Sequence, residues 1–193
     1  VQQESLINTS ALEPSVQGGL LCGVDGGLTG GIVLLGDSPN PIKIVMPVIK
    51  VSGGKGGKGI RTHYNEVAIR SIFVTYAPIH VFVEQSQPFP GQGVSSMFSL
   101  GLGHGLIRGI LAGLQIPYSL IHPRSWQTAM FKGIPSEVNS KGKAFIICQR
   151  LWPTVDWRAS ERSIKAHDGL CDAALIALYG RRTLSGQSLN LTP

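Results

Sequence analysis

The sequence predicts a mixed α/β domain, a five-stranded sheet flanked by helices. Two observations carry this reading. Short apolar, β-branched runs bounded by glycine or proline fall at residues 19–27, 30–36, 42–49, 79–84 and 116–121. Longer stretches with apolar residues three or four apart lie between and after the last two runs. A length of 193 residues suits one domain. Residues 1–17 read as a flexible lead-in, 18–183 as the domain and 184–193 as a flexible tail.

The elements follow in order. GLLCGVDGG (19–27) reads as a buried strand and GGIVLLG (30–36) as its neighbour, so the glycines at 26–31 form a hairpin turn. IKIVMPVI (42–49) gives a third strand, with Pro47 marking an edge or a bulge. The Gly/Lys stretch 52–60 is too glycine-rich to pack alone and is expected as a loop. Asn65 is placed to cap a helix over 65–76. IHVFVE (79–84) is the fourth strand, and it ends on an acid.

A long helix is expected over 93–114, with Val94, Met97, Phe98, Leu102, Leu106 and Ile110 on its apolar side. It carries Gly101, Gly103, Gly105, Gly109 and Gly113, each costing about 1 kcal/mol relative to alanine in a helix. Such a cost implies close approach by something: the sheet, a second copy of the chain, or a phosphodiester backbone. IPYSLI (116–121) is the fifth strand. Pro123 opens a short helix to about 131, a further helix spans 141–151, and the last runs from His167 to Arg182, with Gly180 closing it. Three antiparallel strands, a helix, a strand, a helix, a strand and then helices is the order of a ribonuclease-H-like fold.

The bulk properties narrow the function. The net charge of +6 favours a polyanionic partner. No run approaches the roughly 18 apolar residues of a membrane span, so no membrane partner is expected. Cys22, Cys148 and Cys171 lie in apolar or helical patterns without CxxC spacing, which argues against a zinc site and for buried core thiols. The chain begins at Val1, and any targeting segment is expected to have been removed.

The candidate chemistry lies in carboxylates. Asp25 ends the first strand and Glu84 the fourth, each after an apolar run where an unneutralised acid is costly. Asp168 and Asp172 are four apart on the last helix and share a face, with His167 at its start. Alone, each acid has a plain explanation: a turn former, a strand-end charge, a helix N-terminal acid. Together they present oxygen ligands from several elements, the donor set that two Mg²⁺ ions use to hydrolyse phosphodiesters.

Five segments in this order resemble the RuvC-like Holliday junction resolvases: GVDGGLTGG, VFVEQSQPFPGQG, MFSLGLGHGLIRGIL, HPRSWQ and KAHDGLCDAALIALYGRR. The resemblance spans about residues 20–182 and is closest to the plant chloroplast branch, the monokaryotic chloroplast resolvases. It implies a homodimer that grips a four-way DNA junction and nicks opposing strands using two Mg²⁺ ions per site, with Mn²⁺ able to substitute. It implies a chloroplast location, in the nucleoid or stroma, with the mitochondrion as the alternative. It implies a role in organelle DNA recombination and segregation, with cutting within a CC dinucleotide.

By motif, Asp25, Glu84 and Asp172 match the family acids. Bacterial members place a further ligand three residues before the last acid. That position here is Gly169, so His167 and Asp168 compete for the role. Gln87 stands where an aromatic is expected, and Phe89 is the nearest ring.

Other candidates are cationic. Lys55, Lys58 and Arg61 in the Gly/Lys stretch could meet phosphates or enter a junction centre. Lys141 and Lys143 open a helix beside the expected site, and Lys143 is a candidate to hold the scissile phosphate. Arg108, Arg124, Arg162 and Lys165 are further candidate phosphate contacts, with Lys132 and Arg158. Trp126 reads as core and His104 as packed or interfacial. Three rivals compete with the resolvase reading. An actin-like ATPase would share an Asp-Gly-Gly-Leu-Thr motif, but the chain is short for its two domains. The others are a catalytically silent nucleic-acid-binding module and a nuclease of RNA or RNA–DNA hybrids.

Overall fold

A computed structural model describes residues 19–52, 59–85, 87 and 91–186. The expected lead-in at 1–17, the tail beyond 186, and Lys55, Lys58 and Phe89 lie outside the described residues. The elements are β1 (Leu21–Asp25), β2 (Gly31–Leu35), β3 (Ile42–Val45), β4 (Val48–Ser52), β5 (Ile60–Tyr64), α1 (Glu66–Tyr76), β6 (His80–Glu84), α2 (Val94–Gly113), β7 (Tyr118–Ile121), α3 (Pro123–Met130), α4 (Ser140–Leu151) and α5 (Asp168–Leu184).

The main sheet has five strands in the order β3-β2-β1-β6-β7. β1, β2 and β3 form an antiparallel meander, and β6 and β7 run parallel to β1. Alternation along β1 sorts its side chains between two layers. Leu21 packs with α3, α4 and α5 on one face, and Cys22 and Val24 pack with α1 and α2 on the other. α5 is the central helix. Eight consecutive residues from Cys171 to Leu178 include seven that are buried, and only Asp172 among them is partly open.

Glycines let α5 lie hard against the sheet. A Cβ on Gly23 would strike the Ala173 carbonyl and the Ala177 backbone, and one on Gly169 would meet Gly30. Gly180, expected as a helix stop, instead lies inside α5 against the Phe82 ring, and the helix continues to Leu184. Fully burying a large apolar side chain such as Leu170 or Leu175 contributes about 1.5–3 kcal/mol.

The third expected strand is divided. Met46 and Pro47 separate β3 from β4, and β4 leaves the main sheet to pair with β5 as a two-stranded ribbon. The ribbon was not expected from the sequence. Its register runs from Val48↔Tyr64 to Ser52↔Ile60, so Arg61 sits in a strand opposite Val51 rather than in a loop. Apart from Tyr64, all its residues are exposed.

Of the apolar positions expected along α2, Leu106 and Ile110 pack against the core, and others do not. Gly103, Ile107 and Leu111 face the core, whereas Val94, Phe98 and Leu102 are exposed. Gly103 is the tight-packing glycine, set against the Tyr64 ring. Gly101, Gly105, Gly109 and Gly113 recur every fourth residue and face open space. Asn65 caps α1 as expected, accepting the Ala68 N–H at 3.1 Å. All three cysteines are buried and free. No described helix is long and apolar enough to cross a membrane.

Candidate active site

Asp25 and Glu84 end neighbouring parallel strands. Val24 pairs with Val83, so the next residues stand side by side at the same edge of the sheet, on the face that carries α5. α5 begins above the turn joining β1 to β2, where Gly31 backs onto the Gly169 carbonyl. One turn later it brings Asp172 to the two strand acids. Three carboxylates from three elements thus converge electrostatically: the charges of Asp25, Glu84 and Asp168 all act on Asp172. Gly169 is what allows that approach, since a Cβ there would strike the Gly30 backbone.

Each strand acid is held by a neighbour. The Gly27 N–H donates to Asp25 Oδ1 at 3.1 Å. The indole N–H of Trp126, a fully buried residue on α3, donates to Glu84 Oε1 at 2.8 Å. Trp126 is core, as expected, but it also orients an acid. Tyr64 closes the other side of the turn, donating its hydroxyl to the Gly26 carbonyl at 2.9 Å. Burial, and then the Asp25 charge, push the Tyr64 hydroxyl up to about 12. On α2, burial followed by Arg108 lowers the His104 pKa, and the Glu84 backbone opposes that shift. No sequence pattern marks Trp126, Tyr64 or His104 as neighbours of the acids, because each contact joins distant elements.

The acids are proton-loving in this arrangement. Burial raises Asp172 to about 8, with the charges of Asp25, Glu84 and Asp168 adding and Lys141 opposing. Burial raises Glu84 to about 7, with Asp25 adding and the Trp126 bond opposing. Asp25 is also raised by burial. The Gly27 N–H and His167 work against that rise, and Asp168 adds to it. Such a set is stable in its charged form only with compensating positive charge. The donor chemistry, three hard carboxylates and an imidazole, suits a divalent cation with oxygen preference. Among the described residues no three of these side chains are drawn into a ready ligating cluster.

His167 and Asp168 are both engaged. His167 is the N-cap of α5, its Nδ1 accepting the Leu170 N–H at 3.3 Å. The same N–H also reaches the His167 carbonyl at 3.1 Å. Asp168 Oδ2 pairs with Lys141 Nζ at 2.6 Å in an exposed ion pair. Lys141 is therefore the α4 lysine tied to the acids, whereas Lys143 acts on Glu137.

The other candidate cations lie on several surfaces. Arg108 is exposed on α2 and Arg124 on α3, and Arg162 and Lys165 are exposed in the loop before α5. Arg158 instead closes that loop, bonding Asp156 at 2.8–3.1 Å and the carbonyls of Glu161 and Ser163. That engagement makes it a structural arginine rather than a free phosphate contact.

No protein-family model and no curated protein matches the chain. Solved structures do. Thermus thermophilus RuvC in complex with a Holliday junction substrate superposes with a TM-score of 0.52 at 14% identity, covering 85% of this chain and 96% of that one. Thermus thermophilus RuvC gives 0.50 at 14% identity, covering 87% and 97%. The yeast mitochondrial Holliday junction resolvase Ydc2 gives 0.56 at 11% identity, covering 90% and 82%. At these identities the common property is architecture: the chain has the mixed five-stranded sheet and flanking helices of the RuvC-type, ribonuclease-H-like fold.

Proposed function

We propose that the protein is a divalent-metal-dependent endonuclease that resolves four-way DNA junctions by paired, symmetric nicks. The convergence of Asp25, Glu84 and Asp172 at one edge of the sheet carries this reading. The substrate class is supported by two solved neighbours, RuvC in complex with a Holliday junction substrate and Ydc2, described as a Holliday junction resolvase. The basic balance of +6 agrees with it.

Asp25, Glu84 and Asp172 would hold two Mg²⁺ ions, with Mn²⁺ as a substitute. When bound, such ions activate water and stabilise charge on the leaving oxygen. Hydrolysis breaks the P–O3′ bond. The water oxygen stays on the 5′-phosphate and a proton ends on the 3′-oxygen.

His167 completes the ligand set in this proposal. Its long capping bond can be given up without orphaning the Leu170 N–H, which keeps the His167 carbonyl as acceptor. Asp168 then serves to hold Lys141 beside the acids, where the ammonium can meet the scissile phosphate. Lys143 extends that cationic end of α4. Arg61, Arg108, Arg124, Arg162 and Lys165, with Lys55, Lys58 and Phe89 outside the described residues, are the proposed DNA contacts.

The exposed side of α2 is the proposed homodimer seam. Val94, Phe98 and Leu102 supply apolar area, and four open glycines permit close helix approach. Two active sites on one junction would give the paired cuts. The sequence resemblance to the chloroplast branch favours action on chloroplast DNA during recombination and segregation, with cutting within CC.

The test is cleavage of a synthetic four-way junction, its linear duplex arms and an RNA–DNA hybrid in Mg²⁺. The proposal expects paired nicks in the junction alone. Equal cutting of the duplex removes junction selectivity, and preference for the hybrid points to a different nuclease of the same fold.

A further inference from the structure

A cavity of about 230 Å³ lies between α4, the turn that follows it and the loop leading into α5. Phe145, Pro153, Val155 and Ala166 give it apolar wall, and Ile164, 95% exposed, stands at its edge. Trp157 is also in the wall. It is 2% exposed, and its indole N–H has no acceptor among the described residues. A buried donor left without a partner is costly, and nearly all such groups are matched by protein or by water. The indole therefore calls for an acceptor that the chain itself does not supply.

The charges in the wall narrow the chemistry of that acceptor. Arg158 uses Nε and Nη2 on Asp156, and Nη1 on the carbonyls of Glu161 and Ser163. A phosphate would find this cation already matched and the Asp156 carboxylate beside it. A main-chain carbonyl suits the indole N–H, and an aliphatic side chain suits the apolar wall. Arg162 and Lys165, both exposed, flank Ile164 in the chain, so acidic neighbours complement this rim.

We infer that this cavity docks a segment of a partner protein: an aliphatic side chain enters beside Ile164, a carbonyl of the segment accepts the Trp157 N–H, and acidic residues on either side meet Arg162 and Lys165. The site lies apart from the carboxylates but is joined to them. The Trp157 carbonyl accepts the His167 N–H at 2.7 Å, and Arg158 pairs with Ala166 as a β-bridge. A seated segment therefore bears on the residues that hold His167 in place. It also covers two of the proposed DNA contacts, so the segment and a junction arm compete for them.

The probe is the capped tripeptide acetyl-Glu-Leu-Glu-amide, titrated into the ¹⁵N-labelled chain while the indole N–H resonances of its three tryptophans are followed by NMR. Trp157→Phe removes one resonance and so assigns it. The inference expects that resonance to move downfield, saturably, as the N–H gains an acceptor. Acetyl-Glu-Gly-Glu-amide and inorganic phosphate are expected to leave it in place, and acetyl-Lys-Leu-Lys-amide to bind at least about threefold more weakly. Should Trp157→Phe fail to fold, Ile164→Asp at the exposed edge is expected to weaken the saturable shift of one indole at least about threefold. No saturable shift at any indole with the leucine tripeptide overturns the inference and assigns the N–H to an internal water. An equal shift with the glycine peptide or with phosphate, a shift that Ile164→Asp leaves unweakened, or a shift given by a short DNA duplex and not by the tripeptide, overturns it as well. Each of these results leaves the nuclease reading standing.

Discussion

The indole N–H of Trp126 donates to Glu84 Oε1 at 2.8 Å, joining a fully buried core residue to an acid at the end of β6. The bond opposes the burial that raises Glu84 to about 7. Trp126→Phe removes the donor and leaves burial in place, so the Glu84 pKa rises further. The pH–rate profile for junction cleavage is expected to move its rising limb to higher pH, with the largest loss near pH 7. The substitution also costs about 1–3 kcal/mol of stability from the lost bond and volume. Rates measured across pH at saturating metal check this, and an unshifted limb contradicts it.

Stability of the metal-free protein carries the opposite sign from an ordinary salt-bridged carboxylate. Asp172 and Glu84 hold protons up to about 8 and about 7 when folded, against values near 4 when unfolded. The folded state binds more protons, so their contribution is complete below about pH 4 and is lost as pH rises through the folded values. In EDTA the protein is expected to lose stability between about pH 5 and pH 9. Asp172→Asn should recover on the order of 1–3 kcal/mol at the alkaline end. Urea unfolding at each pH measures this, and stability that climbs with pH in EDTA is the contrary result.

The fourth ligand is separable by metal titration. His167→Ala is expected to raise the Mg²⁺ concentration for half-maximal cleavage at least about tenfold. Asp168→Asn should leave that concentration near the wild-type value while weakening the hold on Lys141, an exposed pair of little consequence for stability. Reversal of the two outcomes assigns the position to Asp168.

The α2 seam predicts its own variant. Leu102→Arg places a charge on the exposed apolar side without touching Gly103, Ile107 or Leu111. Sedimentation is expected to show a monomer, and the junction to receive single rather than paired nicks. A dimer that persists in Leu102→Arg moves the interface elsewhere.

Asp25 and Glu84 were legible in the sequence because each ends an apolar run, where a charge needs a reason, and Asp168 and Asp172 because they stand four apart on one helix. The strand and helix order was legible from periodicity, down to the Asn65 cap. The β4–β5 ribbon was not. Its strands flank a Gly/Lys stretch that reads as loop, and their exposed, mixed composition follows no core-facing pattern. The buried side of α2 was legible only in part, since apolar residues surround the helix and the choice falls to Gly103 meeting Tyr64. Gly180 read as a helix stop because its use, room for the Phe82 ring, belongs to a strand about a hundred residues away. Trp126 gave no sign of its bond to Glu84 for the same reason: tertiary contact, not local pattern, brings them together.

The most direct test of the central claim is cleavage of a four-way junction by Asp25→Asn and Asp172→Asn proteins in Mg²⁺, with binding measured in parallel. Both variants are expected to bind the junction and to cut it at least about a hundredfold more slowly than wild type. Variants that bind and still cut at the wild-type rate would contradict the assignment of the site.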